Sequence, residues 1–379
     1  MNNSITVAFF SDYLNHHQAS FCKAMINRLG DNFKFIATEG ISDFRLKLGY
    51  NSMDDAPYVI AAYRDDNEYQ KALDLGYESD VVIWGSASDV FIKKRVADNK
   101  ITLKYSERFF KKARWRFDPR VWVYRYKSDI CYRNKNLFML CAGAYTAPDC
   151  RFIFSYPNKT YKWGYFPEVI TYDDIHNEIS SKKRNSLLWV GRLIDWKHPE
   201  EAVLLAERIK NDDVDFEMNI IGIGDMQTKI SDMIKAKGLQ DHVHMLGAMP
   251  PVRVREHMEQ SEIYLFTSDK QEGWGAVLNE SMSSACAVVA CREIGSVPYL
   301  IEDGVNGFIY DKHGRNSLYS HVKQLIEDKD LREKIQKNAY DTMKNVWNAD
   351  VAADRFLHLI DCIQKGTETG YTSGPCSRD

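Results

Sequence analysis

The sequence predicts an α/β protein built as two doubly wound domains, and three observations carry that expectation. Short apolar runs rich in β-branched and aromatic residues recur along the chain, with segments of helical period between them. The 379 residues exceed what a single hydrophobic core usually serves. A polar stretch without sustained apolar period, residues 172–185 (YDDIHNEISSKKRN), divides the alternation into two series and reads as the linker. With 44% hydrophobic residues and a net charge of -3, the composition excludes disorder and fibrous repeats.

Taken in order, residues 4–10 (SITVAFF) read as the first strand. A helix over 18–29 puts Phe21, Cys22, Met25, Ile26 and Leu29 on one face, and Gly30 supplies its stop. Further strands are expected at 33–37, 58–61, 80–84 and 101–105, the rhythm of a parallel sheet. The second series has strands at 186–190, 216–221, 243–246, 263–266, 287–290 and 307–310. Its helices are expected at 199–210, 226–237, 253–260 and 276–285. Residues 317–364 read as consecutive helices, and Asn348 can cap the last of them. The small, polar end (GTETGYTSGPCSRD) is expected to be disordered. This divides the chain into Rossmann-like domains at 1–175 and 176–347, a helix at 348–365 that crosses back to the first domain, and a tail at 366–379. Sheets of this kind hold ligands at the carboxyl ends of their strands, so the two domains are expected to face a central cleft.

Charge is unevenly distributed. Residues 1–175 hold 25 Lys and Arg against 21 Asp and Glu, whereas residues 176–379 hold 25 against 32. No apolar run reaches the roughly 18–20 residues a membrane span needs, and the first residues lack the basic start and apolar stretch of a leader, so a cytoplasmic location is expected. The eight cysteines include no CxxC pair and have no metal-ligand spacing, so most are expected to be reduced. The histidines likewise show no ligand spacing, and no metal or other cofactor is expected.

The segment 271–283 (QEGWGAVLNESMS) combines two acids, two glycines and a helix start. Gly273 and Gly275 permit close backbone approach, and the first N–H groups of the following helix lack internal partners, which makes an anion site. Glu272 lies in the loop and Glu280 about a turn inside the helix. Carboxylates beside an anion make sense where they accept hydrogen bonds from hydroxyl groups, which implies a phosphate flanked by sugars. The competing interpretation is an ordinary helix start with a solvated Glu280. A second cluster follows the strand at 186–190: Gly191-Arg192, then Lys197 just before His198-Pro199. Pro199 suits a first helical turn. Cations there oppose the macrodipole unless an anion is also present, and two of them suggest a diphosphate.

Gly191-Arg192 with Lys197, Gly222-Ile-Gly224-Asp225, His242 to Gly247, Glu272-Gly-Trp-Gly with Glu280, and Glu302-Asp-Gly-Val-Asn-Gly307 together resemble the C-terminal domain of family 4 retaining glycosyltransferases of GT-B fold. Order and spacing agree over roughly residues 186–360. The resemblance implies that Arg192 and Lys197 hold the donor diphosphate, that Glu272 contacts the donor sugar, and that Glu280 binds the ribose. It also implies that backbone amides of Gly273, Trp274, Gly275 and Ala276 meet sugar and phosphates. The resemblance implies, too, that the loop from Gly247 through Met249 to Pro250 holds the base. A nucleoside diphosphate sugar, a saccharide or lipid-linked saccharide acceptor, surface polysaccharide synthesis and retention at the anomeric carbon follow as expectations. Departure of the diphosphate builds negative charge that Arg192, Lys197 and the helix amides can stabilise, so the reaction needs no metal. Asp213-Val-Asp215 reads as a turn.

The N-terminal half departs from the family. In place of glycines after the first strand it has residues 12–18 (DYLNHHQ), where His16, His17 and Gln18 either donate hydrogen bonds to sugar or phosphate, or simply cap the helix. Where relatives carry a histidine after a middle strand, this chain has Tyr105-Ser106-Glu107, so Ser106 and Glu107 are the acceptor-side candidates. Residues 104–127 (KYSERFFKKARWRFDPRVWVYRYK) hold nine basic, two acidic and eight aromatic residues. That mixture suits a peripheral membrane contact, or else a helix pair that buries its rings. Nucleic acid is not expected, because no recognition module accompanies the run and the whole chain is acidic. Two other functions compete with transfer: epimerisation of the nucleotide sugar, and binding without catalysis.

Overall fold

Near-continuous apolar runs are what strands buried on both faces require. In the computed structural model, which describes residues 5–42, 51–312 and 317–379, they form two parallel sheets. The first sheet contains β1 (Val7–Ser11), β2 (Phe33–Ala37), β3 (Val59–Ala61), β4 (Val81–Trp84), β5 (Thr102–Ser106), β6 (Leu137–Ala142) and β7 (Thr160–Trp163). Their order is β3-β2-β1-β4-β5-β6-β7. The second contains β8 (Lys183–Val190), β9 (Glu217–Ile221), β10 (Val243–Gly247), β11 (Ser261–Phe266), β12 (Ala287–Cys291) and β13 (Phe308–Tyr310), in the order β10-β9-β8-β11-β12-β13. Every residue of β1, β4, β11 and β12 is buried. Ser4, expected to begin the first strand, lies outside the described residues.

The chain divides into two units. One takes in the described residues up to Glu168 together with Trp347–Asp379, and the other Val169–Val346. The boundary therefore falls ahead of the expected 175/176. The reason is apolar: Tyr172 and Ile175 pack on Ile179, Ala285 and Tyr340 in the second unit. The expected linker is likewise ordered, as the helix Ile175–Ser181 and the start of β8. Lys182, at the end of that stretch, is buried and donates to the carbonyls of Met258, Glu259 and Ser284 at 2.8–3.1 Å.

In the first unit the helix Ala349–Lys365 starts at Asn348, whose side chain accepts from Val351 N at 2.9 Å. Its buried face includes Phe356, 6.1 Å from Phe21 on the helix His16–Leu29. Arg28 pairs with Asp354 at 2.6 Å and Asp350 at 3.0 Å on the same two helices. Residues 366–379, expected to be disordered, are packed instead. Cys376 N donates to Lys162 O and Lys162 N to Ser377 O, both at 2.8 Å, and Cys376 and Ser377 are buried. β7 is the last strand of its sheet, and an edge presents unpaired N–H and C=O groups; this segment supplies them with partners. Among the described residues no helix is long and apolar enough to cross a membrane.

Candidate functional site

In an open parallel sheet the crevice for a ligand opens where the strand order reverses. In the second unit that point lies between β8 and β11, both hydrogen-bonded neighbours within the sheet. The loop after β8 carries Gly191, Arg192 and Lys197; the loop after β11 carries Glu272 to Ala276. The two loops are tied by backbone and side chain. Asp269 N donates to Trp196 O at 2.9 Å, and the Thr267 hydroxyl lies 2.8 Å from Lys197 O while accepting from Trp189 Nε1 at 2.8 Å. Across this seam Lys197 Nζ forms an ion pair with Glu272 Oε2, each side chain only 12% exposed. Ser268 Oγ donates to the same carboxylate oxygen at 3.2 Å.

Glycine is required here by contact rather than by flexibility alone. A Cβ on Gly222 (φ +136°) would stand 1.8 Å from Gly191 O, and one on Gly224 2.4 Å from Leu193 O. The loop after β9 therefore lies directly against the loop after β8. Gly275 (φ +81°) is similar: a Cβ there would meet the Phe266 ring at 2.3 Å.

The structure revises several expectations. Lys197 lies in a 3-10 turn, Asp195–Lys197, and its charge is balanced by Glu272, so a bound anion is not needed to excuse a cation there. The helix expected at 276–285 runs only over Val277–Ser283, which shortens its dipole; Leu278 N makes an early bond, to Gly275 O at 3.0 Å. Trp274 is fully buried, with Nε1 donating to Asn279 Oδ1 at 2.8 Å, so only its backbone can meet a ligand. Arg192 is exposed, its guanidinium 5.7 Å from the Trp196 ring. Glu280 is half-buried in the short helix, and Gly273 and Ala276 are buried. Gly247 ends β10 with φ +72° and open space where a Cβ would be, and Met249 is half-buried in the loop beyond it.

The pairing of His198 with Asp269 was not legible in the sequence, because 71 residues separate them. His198 takes a left-handed conformation (φ 50°, ψ 53°) at the start of the helix Pro199–Asn211, a strain of about 1–2 kcal/mol for a side-chain-bearing residue. Nε2 lies 3.4 Å from Asp269 Oδ2, and Nδ1 3.1 Å from Glu200 Oε1. Lys312 Nζ, 2.6 Å from Nε2, favours the neutral ring, but two carboxylates outweigh one ammonium. Hydrogen bonding to Asp269, then to Glu200, pushes the imidazole pKa up to about 9. A folded pKa above the unfolded value stabilises below pH 6.5 and is lost as pH rises through about 9. Thermal unfolding should therefore show the parent losing stability between these limits relative to His198→Gly. A constant difference would contradict this charge state.

In the first unit the order reverses between β1 and β4. Asn15, not the histidines, caps the helix after β1, accepting from His17 N and Gln18 N at 3.1 and 3.2 Å. Gln18 is buried and accepts from Asn15 Nδ2 at 3.1 Å, which gives it a structural task. The rings of His16 and His17 lie 3.6 Å apart, and His17 stacks on Tyr165 at 5.8 Å. Tyr165 OH donates to Glu107 Oε1 at 2.9 Å, Lys111 pairs with Oε2 at 2.5 Å, and the Ser106 hydroxyl donates to Glu107 O at 2.9 Å. The fold thus gathers His17 and Glu107 around Tyr165. Tyr165 was not legible as a site residue, because its link to Glu107 spans 58 residues. Burial and the nearby Glu107 carboxylate push the Tyr165 phenol well above its usual range.

Two units, each with a parallel doubly wound sheet, are the architecture of the GT-B fold, and solved structures of that fold superpose on the chain. Residues 172–342, within the second unit, match the family model of glycosyl transferases group 1. Similar curated proteins include an uncharacterized glycosyltransferase of Methanocaldococcus jannaschii, 28% identical over 179 residues, 46% of this chain and 48% of that protein. Another is the N-acetylgalactosamine-N,N'-diacetylbacillosaminyl-diphospho-undecaprenol 4-alpha-N-acetylgalactosaminyltransferase of Campylobacter jejuni, 27% identical over 178 residues, 47% of each chain. The matched stretch spans about half the length of these curated relatives. Among solved structures, Anabaena HepE in complex with UDP superposes with a TM-score of 0.69 at 14% identity, covering 94% of this chain and 100% of that one.

Proposed function

We propose that the protein is a retaining glycosyltransferase that moves a sugar from a nucleoside diphosphate sugar to a saccharide or lipid-linked saccharide during surface polysaccharide synthesis. The observation that carries this reading is the Lys197–Glu272 pair, held where the second sheet reverses its strand order. A cation and a carboxylate together suit a ligand that presents phosphate on one side and sugar hydroxyls on the other. Arg192 and Lys197 neutralise the departing diphosphate, a task that requires no metal in this reading. Glu272 orients the sugar, Glu280 the ribose, and the loop of Gly247 and Met249 receives the base. His17, Ser106 and Glu107 in the first unit meet the acceptor side. The name of the Campylobacter relative, a transferase acting on a diphospho-undecaprenol-linked saccharide, supports a lipid-linked acceptor. Retention rests on the family resemblance.

Thermal unfolding with a panel of nucleoside diphosphate sugars tests the donor. A ligand at a hundredfold its Kd adds about 2.7 kcal/mol, a rise on the order of 5 °C for a unit of this size. One base and sugar should shift the Tm selectively and then be consumed only with acceptor. Consumption without acceptor to an isomeric nucleotide sugar would identify an epimerase, and selective binding without turnover a non-catalytic protein.

A further inference from the structure

We propose that the outer face of residues 112–127, in the first unit, docks on an anionic lipid bilayer. The proposal gives the transferase a route to a lipid-linked acceptor, but its evidence is independent of the donor site. The segment is a 3-10 turn, Ala113–Phe117, followed by the helix Pro119–Ser128. Its inner face is firmly anchored. Buried Asp129 receives Lys104 at 2.6 Å, Arg125 at 3.2 Å and the Ser128 hydroxyl at 2.6 Å, and the Arg125 guanidinium lies 3.7 Å over the Phe109 ring. Trp122 Nε1 donates to Arg116 O at 2.8 Å, fixing the turn to the helix.

With one face anchored this way, the opposite face turns outward. Arg120, Val123, Tyr124 and Lys127 fall at i, i+3, i+4 and i+7 and are all exposed. Phe117 is 85% exposed and Tyr126 60%, and with Val123 and Tyr124 they place several exposed apolar groups within one ten-residue stretch. Lys112 and Arg114 add exposed cations to Lys127, whereas Arg120 is offset by Asp118 at 2.8 Å and Arg116 lies 3.6 Å from buried Asp149.

Cations and exposed rings on one face match a bilayer boundary, where cations meet headgroup phosphates and rings settle between headgroup and acyl chain. Charge complementarity therefore specifies an anionic membrane.

Flotation of the full chain with phosphatidylcholine vesicles, with and without phosphatidylglycerol, tests the proposal. The parent should float with the anionic vesicles and not with the neutral ones, and added salt should release it. Each cation near an anionic surface contributes about fivefold, so Arg114→Glu/Arg120→Glu/Lys127→Glu should weaken binding at least tenfold. Phe117→Ser, at a position too exposed to matter for folding, should weaken it several-fold. An unchanged Tm and an unchanged donor-induced shift in these variants would separate loss of docking from loss of the donor site. Equal flotation of parent and variants, no preference for anionic lipid, or displacement of the parent by a single-stranded oligonucleotide at equal phosphate concentration would overturn the proposal.

Discussion

Glu272→Ala should lower the turnover number for sugar transfer by at least about a hundredfold while the fold survives, because misplacing a reacting group by even an ångström costs that much. The loop that carries Glu272 is held by main-chain bonds that the substitution leaves in place, Asp269 N to Trp196 O and Gly295 N to Glu272 O. Its loss also leaves the Lys197 ammonium, 12% exposed, without its carboxylate. Glu272→Gln keeps the shape and one acceptor oxygen but loses the charge, so it should recover part of the donor affinity and little of the rate. Steady-state kinetics of both variants with a fixed acceptor checks this, and full activity in the alanine variant would remove Glu272 from the site.

Loss of the cations should have an effect of similar size. Negative charge develops on the leaving diphosphate, and removing one preorganised donor to such a charge typically costs about 10²–10³ in kcat. Lys197→Ala should be the more damaging of the two, since it deletes the cation and leaves the Glu272 carboxylate to repel the phosphates. Arg192→Ala removes a more exposed group and should show a smaller loss. The reverse order, measured as kcat/KM for the donor, would mean that the Lys197–Glu272 pair serves folding rather than phosphate.

The architecture was largely legible in the sequence because parallel strands buried on both faces are continuous apolar runs; β2 was readable to its end residues, 33–37. β6 and β7 were missed. The first (LFMLCA) is apolar enough to have been seen, whereas the second (TYKW) is short and keeps Lys162 half-buried. The stretch 172–185 looked like a linker because its composition is polar, yet Ile175 and Ile179 suffice to seat a helix turn in the second unit. Composition misled again at 366–379, where backbone pairing to β7, invisible in side-chain identity, orders the segment.

The site was legible as residue types, and its geometry was not. Gly222 and Gly224 could be noticed as glycines, but only the approach of Gly191 O and Leu193 O explains why no side chain fits. Lys197 and Glu272 were each singled out for an anion and a sugar. Their mutual pairing across 75 residues changes the electrostatics from two unsatisfied charges to a balanced pair that a ligand must open or share.

The most direct measurement is calorimetric titration of the full chain with uridine, guanosine and adenosine diphosphates, alongside Arg192→Ala and Lys197→Ala. One nucleotide should bind the parent at a single site, and each substitution should weaken it at least tenfold. Undiminished affinity in both variants would contradict the placement of the diphosphate between the loops that follow β8 and β11.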